Sequence, residues 1–141
     1  MKKIRKHLSR NDIGLNGAHQ SGMLIPRSLS FFFPSLNDNE KNPRIKIIFS
    51  DIKYQKLWCF NFIHYNNKLF GGTRFEYRLT RMTGYLRSLK AKEKDIIEFS
   101  YDSVNDCYLV DLIRNEGFKQ KDNLIQRGDR VFQVSNWEVI N

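Results

Sequence analysis

Three charged residues stand two apart in the run GGTRFEYRLTR (Gly71–Arg81): Arg74, Glu76 and Arg78, a single acid set between two bases. If Thr73–Thr80 is extended, a period of two puts Arg74, Glu76 and Arg78 on one face and Phe75, Tyr77 and Leu79 on the other. In a helix Arg74, Arg78 and Arg81 would share a side with Tyr77 while Glu76 pointed elsewhere, so the extended form is the cleaner fit. An outward Arg–Glu–Arg row suits the edges of base pairs in a DNA major groove. The planar fork of arginine matches guanine O6 and N7, and a carboxylate accepts from cytosine N4. Against phosphates a lone glutamate would only be repelled. Two other roles stay open for Glu76: it can hold the neighbouring arginines in one rotamer, or pair with one of them on a solvated surface for less than about 1 kcal/mol. Lys68, Arg81, Arg87 and Lys90 follow no such pattern and fit phosphate contacts, which give affinity without sequence information.

A second candidate is SRNDIGLNGAHQSG (Ser9–Gly22), polar, glycine-rich and with little to bury. It reads as a long surface excursion, either plain Asx-turn chemistry or a working loop. Candidates for catalysis are thinner. Asp38 with Asp51-Ile52-Lys53 is the nearest imitation of a magnesium-dependent nuclease centre. His7, His19 and His64 lack zinc spacing, and no nucleophile–base motif is present. Cys59 and Cys107, far apart in strand-like contexts, read as buried thiols without metal-ligand spacing.

The elements that must position these residues read mainly as β-structure. RIKIIF (Arg44–Phe49), LWCFNFIHY (Leu57–Tyr65), DIIEFSY (Asp95–Tyr101), CYLVDLI (Cys107–Ile113) and RVFQV (Arg130–Val134) are short runs rich in β-branched and aromatic residues. DSVND between the third and fourth suits a hairpin loop. The pairs Asn66–Asn67 and Gly71–Gly72 punctuate the middle of the chain. Closely spaced strands with turn signals argue for a small barrel or sandwich. The best helix candidate is Thr80–Lys92, weakened by Gly84, and Leu29–Asn42 reads as an apolar edge followed by an exposed loop. Trp58, Phe60 and Phe62 alternate as a buried strand face would, which disfavours an RNA-stacking platform.

A chain of 141 residues with 40% hydrophobic content is the size of one domain with its own core. No apolar run spans a bilayer, and the basic start MKKIRKHLSR has no apolar stretch of a secretory signal behind it, so a cytoplasmic setting is expected. The net charge of +9 is unevenly laid out. Residues 1–30 carry six bases and one acid, residues 61–90 the same, and residues 91–120 seven acids and four bases. Segregation of that kind points to one basic face and a polyanionic partner, nucleic acid ahead of a membrane surface.

LSRNDIGLNGAHQSGMLIP followed by YNNKLFGGTRFEYRLTR resembles the N-terminal effector domain of EcoRII-type restriction endonucleases. The first block carries the pattern N-D-x-G-x-x-G-x-H-Q and an I-P dipeptide on Asn11, Asp12, Gly14, Gly17, His19, Gln20, Ile25 and Pro26; the second is longer and more specific. Ala18 and Phe75 depart from the pattern. The resemblance covers roughly residues 8–115 and implies a B3-like DNA-binding pseudobarrel: mainly β, seven strands in an open barrel, one or two short helices, one domain over 1–141. It implies two arms gripping the major groove, an N-arm at about 9–27 and a C-arm at about 65–81. Arg74, Glu76, Arg78, His19, Asn11 and Asp12 would then read bases, with Lys68, Arg81, Arg10, Gln20, Arg87 and Lys90 positioning the backbone. The implied partner is double-stranded DNA with a short GC-rich site of the 5′-CCWGG type, bound by a monomer. The domain would have no catalytic residues, metal or cofactor of its own; magnesium would belong to a nuclease domain elsewhere in a bacterial parent polypeptide. A stand-alone magnesium-dependent nuclease and a non-specific nucleic-acid-binding barrel are the alternatives.

Overall fold

The computed structural model describes residues 2–14, 22–115, 130–134 and 136–140, with the backbone alone at 130–134. Nine strands form one sheet: β1 (Lys2–His7), β2 (Met23–Ile25), β3 (Arg44–Asp51), β4 (Leu57–Tyr65), β5 (Glu76–Thr80), β6 (Ile96–Asp102), β7 (Cys107–Ile113), β8 (Arg130–Val134) and β9 (Trp137–Ile140). Their order is β2-β5-β4-β3-β7-β6-β1-β9-β8. Two antiparallel halves meet at a single parallel pair, β3 with β7, where Phe49 lies opposite Tyr108.

The alternation read from the sequence decides what lies inside. Phe49 of β3, Phe60 and Phe62 of β4, Leu79 of β5, Ile97 and Phe99 of β6 and Val110 of β7 are almost wholly buried, and they form one cluster with Ile4, Ile25 and Trp137 from β1, β2 and β9. Nine strands at about 4.8 Å spacing would make a flat sheet roughly 40 Å wide. Side chains from both ends share one cluster only because the sheet curls around it, the open-barrel arrangement expected. Aromatic pairs fill the centre: Phe49 lies 5.1 Å from Phe60 and 5.5 Å from Phe99, and Phe33 stacks on Phe62 at 4.5 Å. Each such ring removed from water contributes roughly 1.5–3 kcal/mol.

Two elements close the open side. A 3-10 helix at Arg27–Phe32 sends Leu29 and Phe32 inward, where the sequence read only an apolar edge. The helix α1 covers Thr83–Ser88, six residues in place of the thirteen expected. It has no side-chain N-cap, and its end tightens into Lys90 at φ 52°. What holds it is Tyr85, fully buried with edge contacts to Trp58 (5.4 Å) and Phe60 (5.8 Å).

Three further departures stand out. The strand count among the described residues is nine rather than seven, because β2 and β9 are only three and four residues long and β1 carries a single apolar residue, Ile4, too little for a pattern to show. The basic N-terminus holds a strand that the sequence did not mark: β1 pairs with β6 on one side and β9 on the other. Its outward bases meet acids across the ladder, Arg5 Nε donating to Glu98 Oε2 at 2.6 Å with Lys3 at 3.8 Å from the same carboxylate. Part of the N-terminal positive charge is thus neutralised by the acidic segment. Finally, Cys59 and Cys107 are free thiols but half-buried, not fully buried.

Candidate nucleic-acid interface

Strand β5 lies between β4 and β2, with Ile63 and Leu24 flanking Arg78 and Tyr65 opposite Glu76. Its inner face is anchored as expected: Leu79 is fully buried, and Tyr77 stacks on Phe62 at 5.5 Å and on His64 at 4.1 Å. Phe75 packs edge-on to His64 at 4.8 Å and carries the Arg27 guanidinium 4.4 Å above its ring. The outer face presents the three charges as a linked row. Glu76 Oε2 accepts from Arg74 Nη2 at 3.2 Å and from Arg78 Nε. Burial alone would push the Glu76 carboxyl up, but the hydrogen bonds and charges of Arg78 and Arg74 outweigh it and hold the group below its ordinary value.

Both arginines have a second anchor. The Arg74 guanidinium lies 3.8 Å from the Tyr65 ring centroid, a cation–π contact. Arg78 Nη1 donates to the carbonyl oxygen of Gly22 at 3.1 Å, which ties β5 to the residue where the N-arm enters β2. Gly22 must be glycine: its φ is 90°, and a Cβ there would stand 2.6 Å from Leu79 O. The two forks are therefore set before any ligand arrives.

The base of the N-arm is built differently. Asp12 points inward, accepting from Lys6 Nζ at 2.9 and 2.7 Å and from Ser9 N at 2.9 Å. It braces the loop from inside and does not face outward as a base reader would. Asn11 is exposed beside it and lines a cleft with Asp12, Gly22, Met23, Arg81 and Met82. Arg81, exposed between β5 and α1, holds φ 67°, a left-handed conformation that an L-residue adopts at some cost. Arg87 and Lys90 line the adjoining groove with Ile13. Arg10 is exposed, its guanidinium 4.0 Å from Glu93. His19 and Gln20 lie outside the described residues.

The C-arm between β4 and β5 contains a 3-10 helix, Asn67–Phe70, with Lys68 exposed upon it. Sequence reasoning missed the residues that root this arm. Asn66, fully buried, exchanges backbone-to-side-chain bonds with Asn42 (2.6 and 3.1 Å) and donates from Nδ2 to Glu40 O at 2.9 Å. Asn67 Oδ1 accepts from Arg74 N at 2.7 Å, and Asp38 Oδ1 lies 2.9 Å from His64 Nδ1. The Asn-Asn pair signalled a turn; its partners 24 positions away gave no local signal.

The residues of the nuclease alternative are engaged separately. Asp38 sits with His64. Asp51 accepts from the backbone of Lys53 and Tyr54, and Lys53 reaches Asp111 and Leu112 O. Among the described residues no three His, Cys, Asp or Glu side chains gather as a metal site would require. Nor is any described helix long and apolar enough to cross a membrane. Phe60 and Phe62 are buried and Trp58 is partly buried, all packed in or against the core.

Comparison with known proteins agrees with the fold. The family model for the N-terminal domain of restriction endonuclease EcoRII matches residues 2–108. The type II restriction enzyme EcoRII of Escherichia coli is 39% identical over 82 residues, 54% of this chain and 20% of that enzyme. The chain thus spans about a fifth of the curated relative. Among solved structures, the UbaLAI restriction endonuclease B3 domain with cognate DNA superposes with a TM-score of 0.61 at 20% identity, covering 99% of this chain and 86% of that one. The Arabidopsis FUS3–DNA complex gives 0.62 at 18% identity, covering 79% of this chain and 96% of that one. The fold is that of a B3-like pseudobarrel.

Proposed function

Because the chain belongs to the family of EcoRII N-terminal domains, as its match over residues 2–108 establishes, we propose that it reads double-stranded DNA through the major groove, as the targeting or effector module of a type II restriction endonuclease. The observation that carries this reading is the outward row Arg74–Glu76–Arg78, in which one carboxylate aligns two guanidinium forks. A fork fixed in one rotamer can meet guanine O6 and N7 bidentately without first losing its freedom, and the carboxylate's remaining lone pairs can accept from cytosine N4. The site would be short and contain G·C pairs, as in the 5′-CCWGG type.

The arms flank this row. β2 runs antiparallel to β5 with Met23 opposite Leu79, so the N-arm enters at one end of β5 while the C-arm leaves the other. Five strand residues span roughly 14–17 Å, against a major groove about 12 Å wide. Arg81, Arg87 and Lys90 on the N-arm side and Lys68 on the C-arm side would meet phosphates. Asn11, exposed at the base of the N-arm, would reach a base while Asp12 would hold the loop that presents it, and His19 and Gln20 would keep their expected roles beside it. The module would bind as a monomer and need no metal; cleavage would belong to a catalytic domain elsewhere in a cytoplasmic parent protein.

Selection of bound duplexes from a randomised pool at about 150 mM salt, where non-specific phosphate binding is weakened, tests the proposal. Recovery of a short motif with G·C pairs is the expected result. Recovery of unselected sequence would leave only a basic barrel that holds nucleic acid.

A further inference from the structure

The outermost part of the C-arm is apolar. Leu69 is 59% exposed and Phe70 47%, adjacent on the 3-10 helix and followed by Gly71 in the left-handed conformation at φ 91°. The loop that carries them is built, not slack. Leu69 N donates to Asn66 O at 2.9 Å, Gly72 N to Asn67 O at 2.7 Å, and Lys68 N to Arg74 O at 3.0 Å. Neither side chain belongs to the core cluster. Holding a leucine and a phenylalanine side by side in water stabilises nothing within the fold, and the two are bracketed by Lys68 and Arg74, cations that favour a polyanion as the occupant.

We propose that Leu69 and Phe70 contact thymine C5-methyl groups in the major groove, next to the base pairs met by the Arg74–Glu76–Arg78 row. This rests on the DNA-reading proposal above. The thymine methyl is the apolar group that base pairs present in the major groove, whereas apolar wedges that unstack base steps are mainly a minor-groove device. The tip also has the right reach. Phe70 and Leu69 lie four and five residues before Arg74 on an arm folded back by the Lys68–Arg74 bond. That places them at most about 13 and 17 Å from Arg74 at roughly 3.3 Å per residue, or up to about four and five base steps of about 3.4 Å. The pair would then add a preference for A·T at a position the charged row cannot discriminate.

Deoxyuridine tests this directly, since it removes the methyl and keeps the pairing. In the duplex recovered by selection, each thymine is replaced in turn, and Kd is measured for the wild-type chain, Leu69→Ala and Phe70→Ala. The expected result is a loss of about fourfold at one thymine within about five base pairs of a G·C contact. That loss should vanish in one of the two variants, while the salt dependence of binding stays unchanged. Specific binding without any deoxyuridine effect, or a selected site lacking thymine, overturns the methyl contact and leaves base reading by the charged row intact. Losses in the alanine variants that are equal on thymine and deoxyuridine duplexes overturn it too. Failure of the selection to yield any site removes the DNA-reading proposal, and this inference with it.

Discussion

Glu76 shows how a carboxylate can serve a cationic surface. Without it, Arg74 and Arg78 would repel each other and search several rotamers; with it they share one acceptor, and Arg78 is further tied to Gly22 O. Replacing Arg78 or Arg74 by alanine should cost about 1–3 kcal/mol of cognate binding and relax selectivity at one base pair. Binding to the selected duplex and to single-base variants checks this; equal losses on cognate and random DNA would remove the base-reading role. The carboxyl itself gives a second test. Its folded value lies below the ordinary 4.5, so its contribution to stability is complete above about pH 4.5 and is lost as pH falls through the lowered value. A ¹³C-detected titration of Glu76 should show a depressed midpoint, and Arg78→Ala should move it upward. An unchanged midpoint in that variant would mean that the guanidinium does not hold the acid. At this scale the row was legible, because a period of two is written in five consecutive residues. The inward turn of Asp12 was not, since nothing local says that Lys6 will reach it.

The C-arm is held as an element by a loop remote in sequence. Asn66 satisfies Asn42 N, Asn42 Oδ1 and Glu40 O from a fully buried position. Asn66→Ala leaves Asn42 N and Glu40 O without their side-chain partner while its backbone N–H still serves Asn42 Oδ1, and each orphan shielded from water costs about 1–3 kcal/mol. We expect the variant to unfold at lower urea with an unchanged m-value, and Asn66→Asp to recover only part of the loss, since a carboxylate cannot donate to Glu40 O. A midpoint equal to wild type would show that the clamp is not needed. Element legibility followed the same division between local and remote. β3, β4, β6 and β7 were visible because each carries a dense apolar period. β1 was not, because Ile4 is the one apolar residue of KKIRKH and the other buried position is Lys6, and its strand identity comes from ladders to Ile96–Tyr101 and Trp137–Ile140. The helix was overread: Thr80 and Arg81 belong to the end of β5 and its turn, and Lys90 closes the helix early.

For the whole molecule, the useful distinction is between positive charge that the fold consumes and positive charge that it leaves outside. The two cationic segments looked alike in sequence. In the folded chain Lys3 and Arg5 face Glu98, and Lys6 is bound to Asp12, whereas Lys68, Arg81, Arg87 and Lys90 stand exposed around the two arms. On the proposed reading the second set would displace counterions from DNA. If those four and one of the arginines of the β5 row reach phosphates, the logarithm of the binding constant should fall against the logarithm of salt with a slope of about −4 to −5. Arg87→Ala or Lys90→Ala should each flatten that slope by about 1 and weaken cognate and random duplexes alike. Lys3→Ala should leave the slope as it was while lowering stability slightly, because its charge is already answered within the sheet. Titrations between about 50 and 300 mM salt decide the matter. A slope that Lys3→Ala changes as much as Lys90→Ala would put the DNA on the β1 side of the barrel and away from the arms.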